Sequence, residues 1–213
     1  MDIDFYFYII AAALIAGIVR YRSIQPAVLR LLLPFLAFTL IMEVIGKITV
    51  KMHVQNHWIF NFFTCCEFLF YSYIYSKLLA DPKWVRVVRY GMIAYPVLFV
   101  ANISFGEGFN HFHTITYRVG SVMIVIWCYL YFRQIMRSEA FESVLRVPAF
   151  WISTGLLFFY TGFFFYMSAA YILMYTKLVI DKIVWYAISG TLNAILYGSF
   201  LIAFLCPVSP KKK

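Results

Sequence analysis

The chain has 213 residues, of which 64% are hydrophobic and 13% charged, and its mean hydropathy is +0.83. A soluble domain carries about 25% charged residues, so this composition excludes an ordinary soluble globular class and predicts an integral membrane protein. The net charge of +9 is dispersed between apolar runs with no contiguous basic patch, which argues against a nucleic-acid partner and for a topology signal.

Seven apolar stretches are predicted to form spans, an all-α polytopic bundle in a single domain, each near the ~20 residues a bilayer requires. The first, Phe5–Val19, follows Asp2 and Asp4 with no basic segment before it and no small-residue cleavage site. It is expected to be a short first span rather than a leader. The second, Leu31–Val50, carries Thr39, Glu43 and Lys47 at every fourth position, one stripe of a helix. The third, Trp58–Ser76, places Thr64, Glu67 and Tyr71 on one face with Asn61 beside it. Trp84–Ser104 and Thr116–Phe132 follow. The sixth, Pro148–Tyr175, is long enough to tilt, or to kink near Gly155 or Gly162; it repeats Thr154, Thr161 and Ser168 beside Gly155, Gly162 and Ala169. The seventh, Ile183–Cys206, aligns Tyr186, Ser189, Asn193 and Tyr197.

The loops orient the bundle. With the N-terminus outside, Arg20, Arg22, Arg30, Lys77, Lys83, Arg86, Arg89, Arg133, Arg137, Arg146 and Lys211 to Lys213 fall on the cytoplasmic side. Lys47, Lys51, Arg118, Lys177 and Lys182 fall outside, a split of thirteen to five. The positive-inside rule therefore predicts an N-out, C-in arrangement. Trp58, Trp84, Trp151 and Trp185 sit at predicted span ends and Trp127 inside one. Similar Val-Leu-Arg segments before spans two and six, and Trp…x-x-x-Tyr patterns in three and seven, suggest a 3+1+3 pseudo-repeat of a kind found in transporters.

Polar groups inside a span are costly unless they face the bundle interior. At about 1.5 Å per residue, Glu67 and Asn193 lie some 12–14 Å below their outer helix ends, and Glu43 and Thr161 about 18 Å above their inner ones. All four share one layer slightly outside the midplane. The reading is an outward-facing ligand-binding pocket of spans two, three, six and seven, formed by Glu43, Lys47, Glu67, Thr161, Asn193 and Tyr197 with Tyr117 and Arg118 at the rim. The plainer alternatives stay open: Glu43–Lys47 as an i,i+4 ion pair, Glu67 as interhelical glue to Asn193 or Tyr71, and the small residues of span six as a packing face. His53, His57, His111 and His113 map to outer loops at spacings that a transition metal tolerates, but exposed loop histidines commonly bind nothing, and no resident metal or other cofactor is expected. The four cysteines show no ligand or disulfide spacing. No diphosphate, GxSxG, Walker or HExxH motif is present; an enzyme is not the favoured reading.

Taken together, the seven spans, Glu43-x-x-Gly46-Lys47, Asn61-x5-Glu67, the run Phe150-Trp151-Ile152-Ser153-Thr154-Gly155-Leu156-Leu157-Phe158-Phe159-Tyr160 and Asn193-x-x-x-Tyr197 resemble a family of small seven-helix proteins of Bacteroidetes-type bacteria, akin to the membrane sensor modules that precede histidine kinases. The resemblance covers nearly the whole chain and implies a sensory or signalling role in the inner (plasma) membrane, without naming a ligand or a role for any residue. The sequence ends at Lys213 with no kinase or cyclase segment, so a signal is expected to pass to a membrane or cytoplasmic partner. The expected function is a module that binds a small ligand or lipid. The alternatives are a small-solute transporter and a structural subunit of a membrane complex.

Overall fold

The structure, a computed structural model, describes residues 5–175 and 182–206, and within them not the side chains of 139–142, 170–175, 182, 183 and 185. Lys177, Lys211 to Lys213 and the side chains of Lys182 and Trp185, all used to orient the sequence, lie outside the described residues. The described chain is helical: α1 Phe5–Val19, α2 Leu32–Lys51, α3 His57–Leu78, α4 Pro82–Phe105, α5 Thr114–Met136, α6 Pro148–Tyr175 and α7 Lys182–Leu205. Short 3-10 turns precede α2 and α6. Five of these helices (α2 with the turn before it, α4, α5, α6 and α7) are long and apolar enough to cross a membrane. In length and composition the molecule is a multi-pass membrane protein. Helix α1 is apolar but short. Helix α3 has 22 residues, ample for a span, but Asn61, Glu67 and Lys77 lower its hydropathy.

Six helices close a circuit in the order α1, α2, α3, α5, α6, α7 and back to α1, while α4 lies outside it against α3 and α5. Two kinds of packing close this circuit. Between α6 and α7 the backbones come close: a Cβ added at Gly155 would lie 3.1 Å from the Leu196 carbonyl oxygen, and Gly162 receives Leu192. Small residues serve this purpose where lipid supplies no hydrophobic drive between helices. Helix α6 runs unbroken through both glycines. Gly17 of α1 likewise admits Leu33 of α2 and Phe204 of α7. By contrast α2 meets α3 through long aromatic side chains: Phe35 stacks on Phe70 at 4.0 Å and meets Tyr71 edge-on at 5.5 Å.

The end carrying Arg20, Arg133 and Arg146, the basic end, is fastened by hydrogen bonds between loops. Arg20 Nη2 donates to the Cys206 carbonyl at 3.1 Å, joining α1 to the end of α7. Gln134 accepts from Ala80 N at 2.7 Å and donates to the Leu78 carbonyl at 3.1 Å, joining α5 to the α3–α4 turn. That turn starts α4 by rule: Asp81 Oδ1 accepts from Lys83 N at 2.8 Å and Pro82 takes the first helical position.

Candidate functional site

Helix α3 is the spine of the interior. Counting towards the basic end, it buries Asn61, Glu67, Tyr71, Ser72 and Tyr75. Nearer the basic end, Ser72 and Tyr75 have hydrogen-bond partners on the neighbouring helices. Tyr75 Oη donates to Ser153 Oγ of α6 at 2.8 Å and lies 3.1 Å from Cys128 Sγ of α5. Trp127 Nε1 of α5, the tryptophan expected inside a span, donates to Ser72 Oγ at 3.2 Å. All four cysteines are free.

Further from the basic end, the pairing is looser. Glu67 is only 7% exposed, and its carboxyl lies within electrostatic reach of the phenols of Tyr71, Tyr95, Tyr117, Tyr160 and Tyr197 and of the Glu43 carboxyl. Tyr160 comes closest to bonding it, yet Tyr160 Oη has no hydrogen bond of standard geometry. The hydroxyl approaches the carboxyl without closing on it. Phe68, the next residue, spaces these phenols. Its ring stands 5.2 Å from Tyr95, 5.7 Å from Tyr117 and 5.2 Å from Tyr160. It fits because position 120 is glycine, where an added Cβ would fall 2.5 Å from the Phe68 ring. On the other side, Glu43 Oε2 accepts from Tyr6 Oη at 3.1 Å, and Tyr197 lies within reach of both carboxyls and of Tyr6. Every α-helix thus contributes to one network: Tyr6 from α1, Glu43 from α2, Glu67 and Tyr71 from α3, Tyr95 from α4, Tyr117 from α5, Tyr160 from α6 and Tyr197 from α7.

The end opposite the basic one carries a second polar cluster, built on the α4–α5 loop. Glu107 caps α5 from outside the helix. Its Oε1 accepts from Thr114 N at 3.0 Å and from the Thr114 hydroxyl in a very short contact. Its Oε2 accepts from Ile115 N at 3.2 Å and Asn102 Nδ2 at 2.9 Å. Partial burial pushes the Glu107 carboxyl up, but these four hydrogen bonds outweigh it and hold the group below its ordinary value. The helix N-terminus favours the same negative charge. Asn61 of α3 holds the loop, its Nδ2 donating to the His111 carbonyl at 2.8 Å and its Oδ1 accepting from His113 N at 3.0 Å. Between α3, α4 and this loop lies a cleft of about 290 Å³ lined by Trp58, Asn61, Phe62, Phe99, Ile103, Phe109 and His113.

The residues singled out in the sequence fall into separate places. Glu43, Glu67, Tyr197 and Tyr117 meet in the network. Thr161 is half-buried on α6 beside Tyr160. Asn193 is buried, and its Nδ2 donates within its own helix to the Ser189 carbonyl at 2.9 Å. Lys47 Nζ stands 4.6 Å from the centre of the Phe7 ring, and Arg118 Nε donates to the Thr114 carbonyl at 3.2 Å. His53 takes a left-handed conformation (φ 56°) after α2, and His57 is exposed at the start of α3. His111 Nδ1 pairs with the Glu107 carbonyl at 3.1 Å, and His113 is buried in the loop. Among the described residues, no group of three or more His, Cys, Asp or Glu side chains is placed to hold a metal ion. Sequence reasoning missed Tyr6, Tyr95 and Tyr160. For Tyr95 and Tyr160 the available signal was their position far from span ends, since belt tyrosines belong at the ends; Tyr6, at the start of α1, gave no such signal.

No family model matches the chain, and no curated protein and no solved structure matches it either.

Proposed function

We propose that this chain is a seven-span protein of the inner (plasma) membrane, N-terminus outside and C-terminus cytoplasmic, acting as a sensor-type module. Binding of a small ligand or lipid shifts the Glu43–Glu67 network, and the altered bundle acts on a membrane or cytoplasmic partner. The observation behind this reading is that all seven helices place a side chain in one buried network whose central phenol, Tyr160, stops short of the central carboxyl. A buried donor and acceptor held just out of bonding geometry have two nearby arrangements, and a ligand need only favour one of them.

Hydrogen exchange on the protein in nanodiscs, screened against lipids, cations and small metabolites, tests the proposal. The expected result is a ligand that changes protection in several helices of the wild type and not in Glu67→Gln. A ligand response identical in both forms removes the network from the mechanism. The carboxyl pair in the bundle interior also supports a small-solute transporter as a second reading. Uptake of labelled solute into proteoliposomes that depends on Glu67 would select it. For the topology, a reporter fused after Lys213 is expected to be active in the cytoplasm, and activity only outside overturns the orientation.

A further inference from the structure

The cleft beside the α4–α5 loop has its own chemistry, distinct from the network. Its walls are nearly all apolar: Phe62, Phe99 and Ile103, with Trp58 stacked on Phe109 at 6.2 Å across the mouth. At about 290 Å³ it sits at the lower edge of the size range of small-molecule sites, ~300–1,000 Å³. Beside it, Phe62 and Phe105 are exposed, so a membrane around the bundle brings acyl chains to its entrance.

Its two polar linings differ. Asn61 is engaged at both its amide nitrogen and its oxygen. His113 is 3% exposed, and its Nε2 lies 2.8 Å from the Gly108 carbonyl oxygen. A carbonyl only accepts, so Nε2 carries the proton, and in the neutral ring Nδ1 is left with a lone pair. Nδ1 is buried and without a partner among the described residues. The Phe99 ring, 5.2 Å away, holds the imidazole in place. A buried acceptor left unsatisfied is costly, about 1–3 kcal/mol in general, and the missing complement is a donor.

We infer that the cleft binds a bilayer-dissolved lipid alcohol, its chain between Trp58, Phe62 and Phe99 and its hydroxyl donating to His113 Nδ1. This deepens the ligand-binding reading above by naming a ligand class and a site, and its test reads binding directly. A negative result leaves the Glu67 network untouched, and a failed network test leaves the cleft untouched.

The probe is a bromine-tipped dodecanol added to the full-length protein in phosphatidylcholine nanodiscs, with quenching of Trp58 as the readout and Trp58→Phe identifying that component. The comparison ligands are its methyl ether, which cannot donate, and the matching carboxylic acid. The expected result is half-maximal quenching by the alcohol at about tenfold lower concentration than by the ether, the worth of one hydrogen bond to a buried acceptor. Equal quenching by alcohol and ether overturns the proposal, leaving an apolar seat for any chain. Stronger quenching by the acid in its ionised form also overturns it, because a carboxylate only accepts and would need a protonated imidazole. In a folded His113→Phe variant, the preference for alcohol over ether is expected to vanish; if it persists, the donor is read elsewhere. The native protein alone decides the main question, since the ligand pair changes the ligand and not the fold.

Discussion

Glu67 and Glu107 are the two best-defined carboxyl sites of the molecule, and they are built on opposite plans. Glu107 sits half-buried in a loop and receives four hydrogen bonds from Asn102, Thr114 and Ile115. Glu67 sits in the middle of the bundle among five phenols, and the closest of these, Tyr160, makes no bond of standard geometry. The difference teaches how to separate a structural carboxylate from one held in reserve. Where every acceptor site is filled, the group is fastened and its loss is a loss of stability. Where donors surround it without closing on it, a small rearrangement changes the hydrogen bonding of several helices together.

Substitutions can break or sharpen that contrast. The largest effect is expected at Phe68, whose ring separates Tyr95, Tyr117 and Tyr160. Phe68→Ala should lower stability by about 3–5 kcal/mol, visible as a lower thermal midpoint in detergent. A near-neutral result would mean the phenols are not held apart by packing. Next comes Asn61→Leu, which leaves the His111 carbonyl and the His113 amide unpaired. A loss of about 2 kcal/mol is expected, with faster hydrogen exchange confined to the α4–α5 loop.

Glu107→Gln should cost about 1 kcal/mol, since the site is partly exposed and screened by solvent. Its pH dependence has a definite sign. The folded-state value is depressed, so the stabilisation is complete above the ordinary glutamate value of about 4.3. It is lost as pH falls through the depressed folded value. Wild type and Glu107→Gln should therefore converge on acidification, and a constant gap would assign the effect to shape rather than charge. The smallest change in stability, under about 1 kcal/mol, is expected for Glu67→Gln, because the amide still presents an acceptor to the phenols. If Glu67→Gln unfolds the protein more readily than Glu107→Gln, Glu67 is interhelical glue and the contrast collapses.

The helices were largely legible in the sequence because apolar run length encodes them. Phe5–Val19 and Pro148–Tyr175 coincide with α1 and α6. Helix α5 outruns its apolar stretch, from Thr114 to Met136. Glu107 caps its start from a distant position, and Gln134 finds partners in the α3–α4 turn. Neither cap follows from a local motif. The site was legible in part. Glu43, Glu67 and Tyr197 stood out because charge and helical spacing marked them. Tyr6, Tyr95 and Tyr160 did not, because tyrosine in a membrane chain reads first as an interfacial residue and its burial depends on which helices become neighbours. The cleft was not legible at all, since it needs the loop to fold back over α3 and α4 and bring Phe109 onto Trp58.

Gly120 gives the network a genetic dimension. It carries no polar atom and stands apart from the carboxyls in the sequence, yet the ring of Phe68 occupies the place of its missing side chain. Any larger residue there moves Phe68, and with it the spacing around Glu67. In a random-mutagenesis screen, Gly120 variants should therefore phenocopy Glu67 variants. Their suppressors should arise as smaller residues at position 68, an epistatic pair coupled by packing alone, with no hydrogen bond between the two residues.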